Sequence, residues 1–230
     1  ITLLRAPTDN DGFKLMPHLW PAFGKSLERW LAHGVMTDDS NQVESTTTFT
    51  TIGNGALRVE HEVVIPEHLE DLPRVGASFE IPTRFNALRW YGRGPHENYP
   101  DRSASAMVGI YEGVPDPLPY LMPQEFGLRT ECRWLECTDP STGETIRVDA
   151  DGCVLHMSVL PHTDSDLYSA RDQTELHTHE NLVVHIDIAH RGLGTASCGP
   201  DTLPKYIVKS GTHRFAYVVS SPKRSAQTKR

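Results

Sequence analysis

Short runs of alternating apolar and polar residues recur along most of the chain. This period of two is typical of β-strands with one buried face, because successive side chains of a strand point to opposite sides. The clearest case is residues 45–65, "STTTFTTIGNGALRVEHEVVI", where a Gly-Asn-Gly turn separates two segments rich in β-branched residues. One parity of the second segment is held by Leu57, Val59, His61 and Val63. The pattern predicts a β-hairpin.

Further segments of the chain also have strand character: "ASFEI", "ALRWYG", "SAMVGIYEG", "RTECRWLECT", "TIRVDA", "CVLHMSVLP", "NLVVHIDIAH" and "HRFAYVVSS". Turn sequences such as "DPSTGE" and "DADG" separate neighbours. In "NLVVHIDIAH" one predicted face is wholly apolar, whereas the other carries His185 and Asp187. Many short strands with frequent turns predict an all-β fold, an antiparallel sandwich or barrel.

One segment has helical periodicity instead. Between Pro21 and His33 the apolar residues recur at the spacing of an amphipathic helix, and Gly34 follows as a stop: Phe23, Leu27, Trp30 and Leu31. We therefore expect one short helix near the N-terminus. The proline-rich segment "EGVPDPLPYLMPQEFG" is too long for a tight turn and too rich in proline for a central strand. It predicts an ordered loop.

The length and termini bear on domain organisation. The chain has 230 residues and contains no linker-like segment, which predicts a single β domain over residues 1–220 followed by a polar tail, 221–230. Because the first residue is Ile1, we expect the sequence to be a piece of a longer polypeptide.

Charge and cysteine content exclude some classes. The net charge of −8 argues against a nucleic-acid binder, and the sequence has no apolar run of the length that a membrane span requires. The four cysteines form no C-x-x-C pair, which excludes the usual zinc-finger spacing and predicts buried free thiols. No phosphate-binding or nucleophile-elbow motif occurs, and histidines such as His177 and His179 predict surface positions rather than a metal site.

"RAPTDND", near the start, concentrates carboxylate and amide side chains before Gly12. Such a cluster either hydrogen-bonds sugar hydroxyls or a hard cation, or caps the backbone of its own turn. "WYGRGPHENYPDR", about eighty residues later, leaves a similar choice. His96 and Glu97 could act as an acid and a base, or the segment could be a polar corner in which side chains satisfy irregular backbone.

These two segments, together with "YLMPQEFGLRTECRWLE" and "HRGLGTASCGPD", occur in the order seen at the C-terminal end of large bacterial β-galactosidases. The resemblance extends over roughly residues 3–219. It is a resemblance to the last domain of the single-chain enzymes, or to the small subunit of the two-chain ones.

The resemblance implies a large antiparallel β-supersandwich similar in fold to galactose mutarotases. It also implies a role in a cytoplasmic, homo-oligomeric retaining glycosidase that hydrolyses terminal β-D-galactosides such as lactose. The catalytic carboxylates of such enzymes lie in a separate TIM barrel, and magnesium and sodium bind mainly there. We therefore expect no catalytic residue, metal or cofactor in this chain, and no activity without the remaining domains.

The resemblance further implies which residues lie near substrate. The loop Asp9, Asn10, Asp11 and Gly12 and the loop with Cys198 are expected at the pocket rim. Some relatives have a tryptophan at the position of Cys198, and a thiol offers no aromatic face, which predicts weaker binding of the second sugar. Residues of the "GPHENYPDR" segment are expected to be structural or close to the pocket: His96, Glu97, Asn98, Tyr99 and Arg102.

Two alternatives remain open at this point. A free-standing aldose 1-epimerase would need a histidine acid and a carboxylate base in one cleft, with His96 and Glu125 as candidates. A non-catalytic carbohydrate-binding module would need an exposed aromatic platform, whereas the sequence context of the tryptophans predicts core or sheet positions: Trp20, Trp30, Trp90 and Trp134.

Overall fold

The computed structural model describes residues 1–12, 14, 26–35, 43–177, 179–194 and 201–222. In these ranges the strands are β1 (Glu44–Ile52), β2 (Ala56–Ile65), β3 (Arg74–Pro82), β4 (Ala87–Gly94), β5 (Met107–Gly113), β6 (Arg129–Cys132), β7 (Trp134–Thr138), β8 (Thr145–Asp151), β9 (Leu155–Leu160), β10 (Asn181–His190) and β11 (Gly211–Ser220). The α-helices are α1 (Ser26–Ala32) and α2 (Asp164–Ser169).

The strands form two antiparallel sheets. The larger sheet has seven strands in the order β1-β2-β11-β8-β7-β4-β5, and the smaller has four in the order β3-β10-β9-β6. The predicted hairpin is confirmed, with Phe49 of β1 opposite Val59 of β2. The all-β class predicted from the alternating pattern is confirmed, and the two antiparallel sheets correspond to the sandwich rather than the barrel, which the pattern had left open.

The main core lies between the two sheets. Val63, Trp90 and Phe215 from the larger sheet pack in one buried cluster with residues such as Val184 and Ile186 from the smaller sheet. Burial of apolar side chains at this interface is the dominant favourable contribution to folding.

The outer face of the smaller sheet is also covered. Phe126, from the predicted proline-rich loop, packs with Leu160 of β9 and Leu167 of α2. As a result β10 is buried on both faces, and His185 and Asp187 are 1% and 0% exposed. The sequence pattern had suggested one apolar and one mixed face, and the mixed face turns out to lie beneath this second layer.

Two details differ from the sequence prediction. "RTECRWLECT" was predicted as one strand, but it forms β6 in the smaller sheet and β7 in the larger one. The break coincides with Glu131, whose φ is 54°, and with Arg133, which bonds Tyr91 through its backbone N–H at 2.7 Å. The buried positions also change parity at the break, from Thr130 and Cys132 in β6 to Leu135 and Cys137 in β7, as expected for a strand that moves to the other sheet.

Helix α2 was not predicted. It begins at a capping box in which the Thr163 hydroxyl accepts a hydrogen bond from the Asp166 N–H and the Asp166 carboxylate bonds the Thr163 N–H. The sequence Thr-x-x-Asp carried this signal, but six residues are too few to show a helical stripe. The predicted N-terminal helix is confirmed as α1 over Ser26–Ala32, and residues 21–25 of that prediction lie outside the described residues.

Candidate functional site

The segments singled out by the sequence meet at one end of the smaller sheet. The Asn10 amide donates a hydrogen bond to the Leu193 carbonyl at 2.8 Å, and the Asp9 N–H donates to Gln124 Oε1 at 3.3 Å. Asp101, from "GPHENYPDR", accepts bonds from the N–H groups of Leu193 and Gly194 at 3.0 and 2.9 Å. Side chains from distant parts of the chain thereby hold the loop that ends in Asp11 against residues 192–194.

Glycine is required where these segments touch. A Cβ atom at Gly192 would lie 2.5 Å from an Asp101 carboxylate oxygen, and Gly194 has a φ of 95°. A side chain at either position would clash or strain the backbone, so the close approach of the loops depends on both residues.

Asp11 is an internal anchor. Its carboxylate is 0% exposed and accepts bonds from Arg5 Nη2 at 2.8 and 2.9 Å, and from the N–H and hydroxyl of Thr8 at 2.8 and 2.9 Å. Arg191 Nη1 donates to the same group at 3.2 Å. Asp11 therefore fixes the turn from inside, whereas Asp9 and Asn10 are half-buried and lie closer to the surface.

Arg191 extends this anchor across the molecule. Its guanidinium bonds Asp71 at 2.6 Å and Asp201 at 2.6 Å, and it lies over the Trp30 ring at 5.6 Å. Arg5 lies over the same ring at 5.7 Å. The indole of helix α1 thus covers two buried arginines that share Asp11.

A second buried ionic cluster lies beside the first, on the outer face of β10. Arg74 bonds Glu125 at 3.0 Å and lies 3.7 Å from the carboxylates of both Asp164 and Asp187. The His185 Nε2 lies 3.0 Å from Asp164. We call this set the Arg74 cluster: Arg74, Glu125, Asp164, His185 and Asp187. One arginine faces three carboxylates that are at most 8% exposed, so the carboxylates cannot all be ionised without a large electrostatic cost.

The acids of the Arg74 cluster are held in different protonation states. Burial raises the pKa of Asp187 to about 7, although Arg74 acts against this shift. Burial also acts on Asp164, but Arg74 and His185 outweigh it and lower the pKa of Asp164 to about 2. Neither carboxylate oxygen of Asp187 has a hydrogen-bond partner among the described residues. Asp187 is therefore neutral over most of the acidic range, whereas Asp164 is ionised.

"GPHENYPDR" is split between the surface and the interior. His96 is exposed and its Nε2 lies 3.1 Å from the Ser105 hydroxyl, whereas the Glu97 carboxylate accepts a bond from the Gly127 N–H at 2.7 Å. Glu97 also binds Arg102 at 2.5 Å and Tyr120 at 3.1 Å. The adjacent histidine and glutamate thus have separate sets of partners.

The interior half of this segment satisfies backbone groups. The Asn98 side chain is completely buried, accepts bonds from the N–H and hydroxyl of Thr130 at 3.0 and 2.5 Å, and donates to the carbonyls of Arg93 and His96. The Tyr99 hydroxyl donates to Glu125 at 3.3 Å, which links the segment to the Arg74 cluster. These contacts are those of a polar corner.

The geometry does not fit the epimerase alternative. Glu125 is 1% exposed and is already bonded to Arg74 and Tyr99, whereas His96 is exposed and lies beside Ser105. A base without access to solvent cannot reach a free sugar in solution, so these two residues form no acid–base site.

The cysteine prediction is correct for two of three described thiols. Cys132 and Cys137 are buried and free, and burial raises the pKa of each thiol to about 12. Cys153 is free but exposed, because it lies at the turn between β8 and β9. Cys198 lies outside the described residues.

No group of three or more His, Cys, Asp or Glu side chains in the described ranges has the arrangement of a metal site. None of the helices within those ranges is long and apolar enough to cross a membrane.

Sequence reasoning missed most of the buried ionic residues. Arg5, Arg74 and Arg191 carry the two clusters. Arg5 and Arg191 lie in the segments "RAPTDND" and "HRGLGTASCGPD", but the local sequence does not show that they are buried, and Arg74 lies in none of the segments singled out. The available signal was the mixed face of "NLVVHIDIAH", since a charged residue in a strand that is otherwise apolar calls for a buried partner.

Nearly the whole chain, including the segments that meet at this end of the sheet, matches one known family. Residues 1–219 match the family described as β-galactosidase small chain. The chain belongs to this family. It is 34% identical over 148 residues to a β-galactosidase of Vibrio cholerae, which covers 64% of this chain and 14% of that protein.

The chain spans only 14–20% of the length of the curated relatives it matches. Among solved structures, it is similar to a candidate aldose 1-epimerase from Escherichia coli K12, at 13% identity and a TM-score of 0.40, over 78% of this chain and 60% of the other. It is also similar to a galactose mutarotase-like protein from Lactobacillus casei, at 10% identity and a TM-score of 0.33, over 80% and 71% of the two chains.

Proposed function

We propose that this chain is the C-terminal domain of a β-galactosidase that hydrolyses terminal β-D-galactosides such as lactose with retention of configuration. Its role is to shape the rim of the active-site pocket and to contact carbohydrate there. Retaining glycosidases need two carboxyl groups about 5–5.5 Å apart and open to the substrate. We assign both to the remainder of the enzyme.

The observation that carries this proposal is the way the Asp9–Gly12 loop is built. Asp11 is bonded from the inside by Arg5, Arg191 and Thr8, while Asp9 and Asn10 remain half-buried at the outer side of the same turn. A loop held this firmly has little conformational entropy left to lose when a ligand or a neighbouring domain binds it.

The carboxylates of the Arg74 cluster are not candidates for the chemistry. Asp164 and Asp187 are 8% and 0% exposed and lie beneath the second layer formed by the proline-rich loop and α2. Because a galactoside cannot reach them, they support the rim and do not take part in hydrolysis.

In this proposal Asp9 and Asn10 are rim residues, and Asp11 and Gly12 position them. Cys198 is a further rim residue that lacks an aromatic face for a second sugar. His96, Glu97, Asn98, Tyr99 and Arg102 shape the corner beside the rim. The partners are the remaining domains, including the TIM barrel. Magnesium and sodium, which the resemblance implies for the whole enzyme, bind mainly outside this chain, in a homo-oligomeric cytoplasmic protein.

The first test compares the chain alone with the chain in the longer enzyme. Residues 1–230 alone should show no turnover of o-nitrophenyl β-D-galactoside, and activity should return when the remaining domains are supplied together with the chain. Turnover by the purified chain alone would contradict the division of labour proposed here.

A second test separates the proposed role of Asp9 at the rim from the role of Asp11, which holds the loop in place. In the whole enzyme, Asp9→Ala should lower kcat/KM by about 10-fold with little change in melting temperature, because the residue is half-buried and acts at the rim. Asp11→Ala should lower the melting temperature, because it leaves Arg5 and Arg191 without their shared carboxylate. Equal effects of both changes on stability would remove the distinction between the two aspartates.

A further inference from the structure

An open apolar groove lies at the edge of the sandwich, on the side away from the Arg74 cluster. It has a volume of about 800 Å³. Its walls are the inner face of the β1–β2–β11 part of the larger sheet and the edge strand β3 of the smaller one, and its lining includes Phe49, Leu57, Val59, Phe79, Ile81 and Val219. Phe49 is 66% exposed, which is unusual for a large apolar side chain on the inner face of a sandwich.

The groove exists because the two sheets differ in width. The larger sheet continues to β1, whereas the smaller sheet ends at β3. Among the described strands β3 pairs only with β10, and its other edge is bonded by Thr2 at Gly76. One more strand at the outer edge of β3 would therefore widen the smaller sheet. It would cover the part of the larger sheet near β1 that now lines the groove.

The start of such a strand is already present. Thr2 and Gly76 exchange both backbone hydrogen bonds, at 2.8 and 3.0 Å, as an antiparallel bridge. The register of this bridge places Ile1 opposite Ala77, and both residues line the groove. In a β-strand, alternate residues point their N–H and C=O groups to the same edge. The N–H and C=O groups of Ser78 and Glu80 therefore point to the same edge of β3 as those of Gly76.

We propose that the groove is filled by an extended strand that precedes Ile1 in the longer polypeptide and pairs antiparallel with β3. Its second, fourth and sixth residues before Ile1 share the face of Ile1 and are apolar, because they pack against Phe49, Phe79 and Ile81. The source of the strand rests on the proposed function, since a chain that spans 14–20% of its relatives can draw a strand from the rest of the same enzyme. The groove and the register do not depend on that function.

Hydrogen exchange in the whole enzyme tests the pairing directly. The backbone amides of Ser78 and Glu80 should exchange at least about 100-fold more slowly in the longer polypeptide than in residues 1–230 alone. The amide of Ala77, which faces β10, is the matched control and should be protected in both. Equal exchange of Ser78 and Glu80 in the two proteins would overturn the proposal, even if the enzyme is active.

A designed extension tests the register without knowledge of the natural segment. Two six-residue extensions of identical composition are placed before Ile1. One has valine at the second, fourth and sixth positions before Ile1 and threonine or lysine between them, and the other is shifted by one residue. The first should raise the melting temperature of residues 1–230 by about 5–10 °C and reduce the fluorescence of a bound apolar dye.

The shifted extension should do neither, because its valines face away from the groove. Equal effects of the two extensions, or no effect of either, would overturn the proposed register. Dimerisation of residues 1–230 with protection of Ser78 and Glu80 in the dimer would instead assign the groove to a second copy and would also overturn the proposal.

Discussion

Strand β3 connects two regions that differ in how completely their side chains are buried. At its first residue, Arg74 is 0% exposed and lies among the acids of the Arg74 cluster, all of which come from this chain. A few residues further on, Phe79 and Ile81 line an open groove with the exposed Phe49. The chain thus buries these charges completely where it supplies the partners. In the groove it leaves Phe49 exposed and Phe79 only partly buried, although Ile81 is itself buried.

The difference shows that a side chain in this fold is buried when other residues of the chain contact it, whether that side chain is charged or apolar. A buried charge is tolerated only when its partners are fixed in place, and removal of one partner leaves the others desolvated and unpaired. Replacing an exposed phenylalanine, in contrast, removes few packing contacts and should change the free energy of unfolding little. The effects of substitutions should therefore decrease from the buried Arg74 of β3 to the exposed Phe49 of β1.

The largest effect is expected from Arg74→Met. This change leaves Glu125, Asp164 and Asp187 buried without their shared cation, which should lower the free energy of unfolding by about 3–5 kcal/mol. Urea denaturation measures this change. The control is Arg84→Met, which removes an arginine that is 55% exposed and should cost less than about 1 kcal/mol. Similar costs for both variants would mean that burial does not distinguish the two arginines.

Asp187→Asn should have an effect whose size depends on pH. Burial raises the pKa of Asp187 to about 7 from the ordinary value of 3.8, so the folded state holds this proton more tightly than the unfolded state. The contribution of Asp187 to stability is therefore complete below pH 4 and is lost as the pH rises to about 7. An asparagine at this position has no proton to release, so its contribution to stability does not change with pH in this range.

The stability of Asp187→Asn relative to the unmodified protein should therefore increase by about 2–3 kcal/mol between pH 5 and pH 8. Urea denaturation at both pH values gives this difference. A difference that is the same at both would show that Asp187 is ionised throughout.

Asn98→Ala should cost about 2 kcal/mol, because the backbone N–H of Thr130 and two carbonyls would lose their partner inside the protein. His96→Ala, two residues away, should change the free energy of unfolding by less than about 0.5 kcal/mol, since His96 is exposed. Thermal unfolding of the two variants compares them. A larger loss for His96→Ala would reverse our assignment of the interior and surface halves of this corner.

The smallest effect is expected at the groove. In residues 1–230, Phe49→Thr should change the free energy of unfolding by less than about 0.5 kcal/mol, because the side chain is 66% exposed and threonine suits a strand. Thr48→Ser, on the opposite face of β1, is a control for the strand itself. A loss above about 2 kcal/mol for Phe49→Thr would mean that the groove is already closed in this chain.

Much of the sheet structure could be predicted because its signals are local. The β1–β2 hairpin is encoded within about twenty consecutive residues, in an alternating pattern and a glycine-rich turn. The boundary between β6 and β7 was missed, although the buried positions change parity there, from Thr130 and Cys132 to Leu135 and Cys137. Intrinsic preference and pattern give the element, but tertiary contacts decide where it changes sheet.

The sequence shows where polar side chains are concentrated, but it does not show how they are arranged in the folded protein. The sequence places Asp9 and Asp11 in one polar turn, two residues apart, and nothing in their local context tells which one is buried. That distinction arises from the partners of Asp11, which are Arg5, Thr8 and Arg191. Arg191 is far away in the sequence and reaches Asp11 only in the folded protein. The same is true of Asp187, whose raised pKa depends on burial by the proline-rich loop and α2.

The bond between Arg5 and the Arg191 carbonyl joins residues that are 186 positions apart. A contact of this kind cannot form during synthesis until residue 191 has left the ribosome. Closing so long a loop also costs conformational entropy before the contact can stabilise the fold. The first residues of the chain must therefore wait for β10. We expect this domain to fold slowly, with its N-terminal segment docking only after β10 is in place.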